Sequence, residues 1–262
     1  MTLNAVNVSV FGQNGFKIQI NNSIVNAVVT NNQNYNLLQK ITKQTTINNL
    51  SHSINTNSAQ DVAALAETIN GQTIEISNCL ITLTTTSNNY ALIVTSTSNT
   101  ITVSGLTVSG TMVATTSASA LLLQMTGGSL TLSSSTFHVF MVSATNSGLI
   151  CGNINTGTVA ITTTTMNSSV QFSGSGTGTL FGTVSGTITM DTLVNVNMTG
   201  TFVAKSCASG CSSLTENTPQ ITVSSFPLTT TVSGNTVNYA IGGFGIWDFN
   251  NSYIILSTAQ SN

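Results

Sequence analysis

The sequence predicts a parallel β-solenoid, and three observations carry the prediction. Short apolar–polar–apolar bursts recur at a nearly constant interval. Within each burst the alternation has period two, which marks a strand rather than a helix. Between bursts the chain turns to Gly, Asn and Ser, which supply corners through positive φ or a side chain that bonds its own backbone.

The recurrence is plain when the bursts are set in a column. KIQI starts at Lys17, TINNL at Thr46, TIEIS at Thr73, TITVS at Thr100 and SLTLS at Ser129. TVAIT follows at Thr158, TITMD at Thr187, QITVS at Gln220 and SYIIL at Ser252. The starts lie 29, 27, 27, 29, 29, 29, 33 and 32 residues apart. A fixed period of 20–50 residues means stacked supersecondary units. The expected architecture is a single all-β domain over residues 1–262, a right-handed β-helix of about nine turns of 27–33 residues. Partial turns occupy 1–16 and 252–262. At an inter-strand spacing of ~4.8 Å, nine turns make a rod roughly 43 Å long.

Each burst assigns its residues to a side. Ile74, Ile101, Leu130, Val159, Ile188 and Ile221 form one inward column. Ile76, Val103, Leu132, Ile161, Met190 and Val223 form a second, two residues on. Between them an outward column holds Gln19, Asn48, Glu75, Thr102, Thr131, Ala160, Thr189, Thr222 and Ile254. A second apolar burst closes most turns: Leu37-Leu38, Ala64-Leu65, Ala91-Leu92, Leu121-Leu122, Leu149-Ile150, Leu180-Phe181 and Ala240-Ile241. One segment pulls the other way. SAQDVAALAETINGQ (58–72) has a capping Asp61, apolar Val62, Leu65 and Ile69, and a terminating Gly71, which read locally as helix. The repeat keeps its length there, with Ala64-Leu65 in the register of Ala91-Leu92, so a strand is expected, with a helical excursion as the open alternative.

Composition narrows the function classes. Ten residues of 262 are charged, four Lys and six Asp or Glu, and none lies between Ile76 and Met190. Solubility must then come from Ser, Thr, Asn and Gln. With 40% hydrophobic residues the chain has the apolar content to build a core, which argues against disorder. Thr or Ser interrupts every apolar stretch before it reaches the length of a spanning helix. Ten Phe, four Tyr and one Trp are scattered rather than gathered into the girdles of a membrane barrel. No membrane insertion is expected. Basic residues do not cluster, so no nucleic-acid partner is expected either.

Two stretches carry a family resemblance. Gly148-Leu149-Ile150-Cys151-Gly152 followed by Gly157-Thr158-Val159 resembles the GLUG-type repeats of large surface and adhesin-like proteins. Gly178-Thr179-Leu180-Phe181-Gly182 followed by Gly186-Thr187-Ile188 repeats the pattern, and the likeness covers about a third of the chain. It implies an extracellular or cell-surface solenoid and carries over no catalytic or binding residue.

Chemistry-bearing residues are few. Glycoside cleavage needs two facing carboxylates, and Glu75 and Asp191 fall about four turns apart, roughly 19 Å. Glu216 and Asp248 are better placed, one layer apart beside Trp247, as a candidate for catalysis or Ca²⁺, with solvated loop carboxylates as the plainer reading. His52 and His138 stand alone and read as structural. There is no catalytic triad, zinc cluster or phosphate cradle, so no enzyme activity, cofactor or metal is expected. Cys207 and Cys211, in CASGC, either close a small loop disulfide or remain reduced. Cys79 and Cys151 fall in apolar columns and read as small buried hydrophobes. Sequons at Asn7, Asn21, Asn49, Asn167, Asn197 and Asn250 permit glycosylation.

The expected role is structural. Neither end shows a capping helix or charged cap, and the 15 residues of 2–16 with the 11 of 252–262 together make nearly one turn. Head-to-tail stacking is expected through Leu3, Val6 and Val8 at one end and Tyr253, Ile254 and Ile255 at the other. The result is a filament, or a stretch of a longer surface fibre. The alternative is an adhesin-type module that shows a polar face to glycans or host surfaces. A Thr-x-Ser-like array at Thr102/Ser104, Thr131/Ser133, Thr189/Asp191 and Thr222/Ser224 also admits ice binding.

Overall fold

A computed structural model describes residues 17–29, 33–57, 59–143 and 148–168 in full, with the backbone alone of further strand segments on either side. It is a parallel β-solenoid of about five turns over the fully described residues, all-β and without helix among the described residues. Each turn lays down three strand segments, which stack into three walls. The first wall comprises 18–21, 45–48, 73–77, 100–104, 129–133 and 158–162. The second comprises 24–30, 51–57, 80–86, 107–113, 136–142 and 165–172. The third comprises 35–41, 62–70, 90–97, 122–126 and 151–156. One unbroken strand, Leu80–Ser104, crosses from the second wall through the third into the first wall of the next turn. The segment 59–70 is strand, as its repeat length predicts.

The expected inward columns form along most of their length. Ile74 pairs with Ile101, Ile101 with Leu130, Leu130 with Val159, and Val159 with Ile188. Ile76, Val103, Leu132, Ile161 and Met190 follow in the same way. All of these up to Ile161 are buried. So are the apolar pairs from Leu37-Leu38 to Leu149-Ile150, where the chain rounds a bend. Complete burial of one Val, Leu or Ile contributes about 1.5–3 kcal/mol, and each turn repeats that contribution at every inward position.

Three registers differ from expectation, each for a physical reason. The outward partner of Gln19 and Glu75 is Thr46, not Asn48. The cause is Thr45, which is fully buried opposite Ile18 and Ile74. Its β-branched body fills an apolar slot while its hydroxyl donates to the Lys43 carbonyl at 3.1 Å. The second correction lies at Ala64-Leu65. Ala63 pairs with Ala91 and Ala66 with Ile93, so two residues face Leu92 alone. This bulge absorbs the extra residue that gave the segment its helical look. Asp61 is no helix cap. Its backbone N–H donates to Asn34 Oδ1 at 3.2 Å, and its carboxylate accepts from Asn89 Nδ2 at 2.8 Å.

The third difference is at the C-terminal side. Ile188 pairs with Leu214 and Thr189 with Thr215, whereas Gln220 and Ile221 lie beside Asn195 and Val196. Gln220 and Ile221 therefore continue the second wall rather than the first. Beyond it, Thr229–Val232 pairs antiparallel with Asn235–Asn238, across the two residues Ser233-Gly234. Tyr253–Leu256 likewise pairs antiparallel with Gly245–Asp248, where another solenoid turn was expected.

The corners use left-handed backbone in register. Asn22, Asn49, Asn78, Gly105, Ser134 and Thr163 hold φ between 47° and 61° at the bend from first to second wall. Asn is among the few non-Gly residues that visit this region readily. Here its amide also joins the turns, since Asn49 Nδ2 donates to Asn22 Oδ1 at 2.7 Å.

Candidate functional site

The described interior contains a polar cluster among apolar columns. His52 takes a place in the column Val25–His52–Ile81–Val108–Phe137–Met166 of the second wall. From the third wall, Tyr35 reaches it, and Tyr35 Oη lies 2.8 Å from His52 Nε2 with the rings edge to face. Tyr90 stands two turns above Tyr35 in the same column, with Val62 between. All three side chains are buried. His52 Nδ1 and Tyr90 Oη complete no hydrogen bond. Burial holds the His52 pKa down to about 4, with the Ala64 backbone pulling weakly the other way. Burial likewise pushes both tyrosines well above their ordinary range, and for Tyr90 the neighbouring Tyr35 adds to the effect. The cluster is neutral at pH 7 and closed to solvent. It can hold the second and third walls together, but no substrate reaches it.

Other buried polar groups serve the backbone. Asn99 donates to the Ile69 carbonyl at 2.9 Å and accepts from the Gln72 N–H at 2.8 Å, tying adjacent turns at a corner. Ser119 donates towards Gly148 and Ile150 carbonyls one turn on. Ser168 accepts from the Val139 N–H at 3.1 Å. Cys79 and Cys151 are free thiols buried in inward positions, with burial raising both pKa values. Both fit the reading of small hydrophobes.

The exposed chemistry is sparse. Among the described residues no three His, Cys, Asp or Glu come together. Asp61, Glu67 and Glu75 are on the surface, and Glu67 accepts from Asn36 Nδ2 at 3.2 Å. His138 is exposed on the second wall. Of the sequon residues, Asn21, Asn49 and Asn167 are exposed, and Asn49 already spends its amide on Asn22.

The remaining expected site residues lie outside the fully described part. Cys207, Cys211, Asn7, Asn250, Val6 and Asp191 fall outside the described residues altogether. Leu3 and Val8 are placed by backbone in the parallel ladder, beside Ala27 and Tyr35. Glu216, Asn197, Trp247, Asp248, Tyr253, Ile254 and Ile255 are likewise placed by backbone alone. Glu216 continues the first wall above Met190, while Asp248 belongs to the antiparallel pair.

What the solenoid offers outward is three walls of stacked side chains. On the second wall the outward columns are Ile24–Ser51–Leu80–Thr107–Thr136–Thr165, Asn26–Ser53–Thr82–Ser109–His138–Asn167, and Val28–Asn55–Thr84–Thr111–Phe140. Sequence periodicity aligned only the first wall in detail, so these columns were legible only through the 27–29-residue offsets. Comparison with protein-family models, with curated proteins and with solved structures returned no match.

Proposed function

We propose that the chain is a non-enzymatic structural β-solenoid of an extracellular or cell-surface fibre, stacking end to end with copies of itself or with further turns of a longer chain. The observation that supports this most directly is the translational regularity of the ladder. From Ile18 to Met190 each turn presents the next with the same parallel strand edges above the same inward columns. Such an edge is a template for another strand, and a head-to-tail contact of this kind grows instead of closing. The GLUG-like stretches and the almost uncharged, Thr-, Ser- and Asn-rich exterior favour a surface setting.

A second reading is a binding module that shows a polar wall to glycans. It rests on the exposed hydroxyl rows of the second wall, Thr82, Thr84 and Thr86 above all. Negative-stain imaging of the purified chain separates the two. Filaments with a subunit repeat on the order of 40 Å, about nine strand spacings, are expected. Single short rods at the highest soluble concentration, together with retention on immobilised glycans, would overturn the structural reading in favour of the module.

A further inference from the structure

We propose that the second wall is a lateral contact face, on which a second copy of this chain packs side by side. The large hydrophobic side chains most exposed among the described residues all lie on it. The four exposed large hydrophobic side chains among the described residues are Ile24, Val28, Leu80 and Phe140, with Ile24 65% exposed. All four lie in the outward columns of this one wall. Scattered single hydrophobes are ordinary on a surface; four gathered on one wall of three, with none on the others, are not.

Charge is distributed in the opposite way. The six charged side chains of the described residues are Lys17, Lys40, Lys43, Asp61, Glu67 and Glu75. Glu75 belongs to the first wall and Lys17 directly precedes that wall, Lys40 and Glu67 belong to the third, and Lys43 and Asp61 to corners. Among the described residues the second wall thus brings no Lys, Asp or Glu against its own copy; its one titratable side chain is His138, in the middle column, and its hydroxyls and amides both donate and accept.

Area and symmetry favour a copy over a sugar. Seven residues of strand by six turns make a face about 23 Å by 29 Å, near 650 Å². Two such faces bury about 1,300 Å², inside the range of a specific interface. A two-fold axis along the rod exchanges the outer columns, so Ile24 of one copy meets Val28 of the other, and the polar middle column faces itself. Such a contact is isologous and closes at two copies. Sugar sites, by contrast, are concave and use aromatic platforms, whereas this wall is a continuous strand surface with one aromatic, Phe140.

Sedimentation of the full chain over a concentration series tests the proposal. The mass should rise from 27.1 kDa towards twice that value. Thr82→Lys, in the middle column, should weaken the association at least tenfold, and Phe140→Ser should weaken it measurably. Thr131→Lys on the first wall should leave it unchanged. Thermal melts check that each variant folds, and Phe140→Ser decides if Thr82→Lys does not. A parent that stays at 27.1 kDa throughout overturns the proposal. So does a dimer that survives both second-wall variants, or one that Thr131→Lys breaks equally. End-to-end growth is distinguishable, because it raises the mass without limit and persists in Thr82→Lys as unpaired rods.

Discussion

Lowering the pH from 7.5 to 5 should weaken the fold through His52, an imidazole 1% exposed between Val25 and Ile81. Its folded pKa is about 4, against 6.5 for the free side chain. Above pH 6.5 both states hold it neutral and the full stability is present. Between 6.5 and 4 the unfolded chain takes up a proton that the folded one refuses, so stability falls as pH falls. The loss amounts to about 2 kcal/mol at pH 5 and about 3 kcal/mol well below pH 4. Urea midpoints measured at pH 7.5, 6.5, 5.5 and 5 read this out. The decisive comparison is the double variant His52→Phe with Tyr35→Phe, which replaces both partners of the 2.8 Å hydrogen bond with apolar rings. Removing only one partner would strand the other without a bond, whereas removing both can be nearly neutral. Phe137 already occupies the same column. The variant keeps His138 and every carboxylate, so the difference between the two pH profiles belongs to His52. If parent and double variant lose stability in parallel, the imidazole is not held neutral in the core and the account of the cluster fails.

Two further predictions concern registers and corners. Val159→Asp places a charge without a partner in the inward column and should cost at least about 4 kcal/mol, while Thr131→Lys on the outer face should change the denaturant midpoint very little. Equal stability of the two would mean that inside and outside have been exchanged. Gly128 has φ +82°, and a Cβ there would meet the Asn99 carbonyl oxygen of the turn below at 2.1 Å. Gly128→Ala should therefore cost more than the ~1–3 kcal/mol of backbone strain alone. Gly71 has φ +63° with nothing within 4 Å of the same position, so Gly71→Asn should fold with a midpoint close to the parent's.

The first wall was legible because its inward positions are Ile, Leu and Val in turn after turn. From Ile74 to Val159 the burst starts coincide with the backbone register. The reading slipped by two residues at Thr46 because Thr45 behaves sterically like Val while appearing polar in a hydropathy pattern. A two-residue slip keeps the same faces in and out, so the inside–outside alternation gave no warning. The bulge at Ala64-Leu65 was hidden for a related reason, since a local insertion leaves the overall period almost unchanged. The Tyr35–His52 pair could not be read from sequence at all. The two residues are 17 positions apart on different walls, and only the fold brings them together. The second-wall columns were present in the sequence as offsets of 27 and 29 residues, but without bursts to anchor them they did not stand out.

The scarcity of charge follows from the same stacking. In a solenoid every outward position repeats in the next turn at ~4.8 Å, close enough for two like charges to repel by about 1 kcal/mol in water and several-fold more near the protein surface. A charged residue therefore cannot be copied along a column as Thr or Asn can. The charges present obey this limit. Glu75 stands between Thr46 and Thr102, Lys40 pairs with Thr68, and Asp61 lies between Asn34 and Asn89. Asparagine has no such restriction, because one amide donates and accepts at once. The bond from Asn49 to Asn22 and the bonds from Ser77 and Asn78 to Asn48 show neighbouring rungs satisfying one another. A repeat that grows by copying turns can thus keep hydroxyl and amide columns and must dilute ionic ones. Among the described residues the second wall carries no Lys, Asp or Glu, and it is also where the exposed Ile24, Val28, Leu80 and Phe140 lie without such a charge beside them to keep a neighbouring wall away.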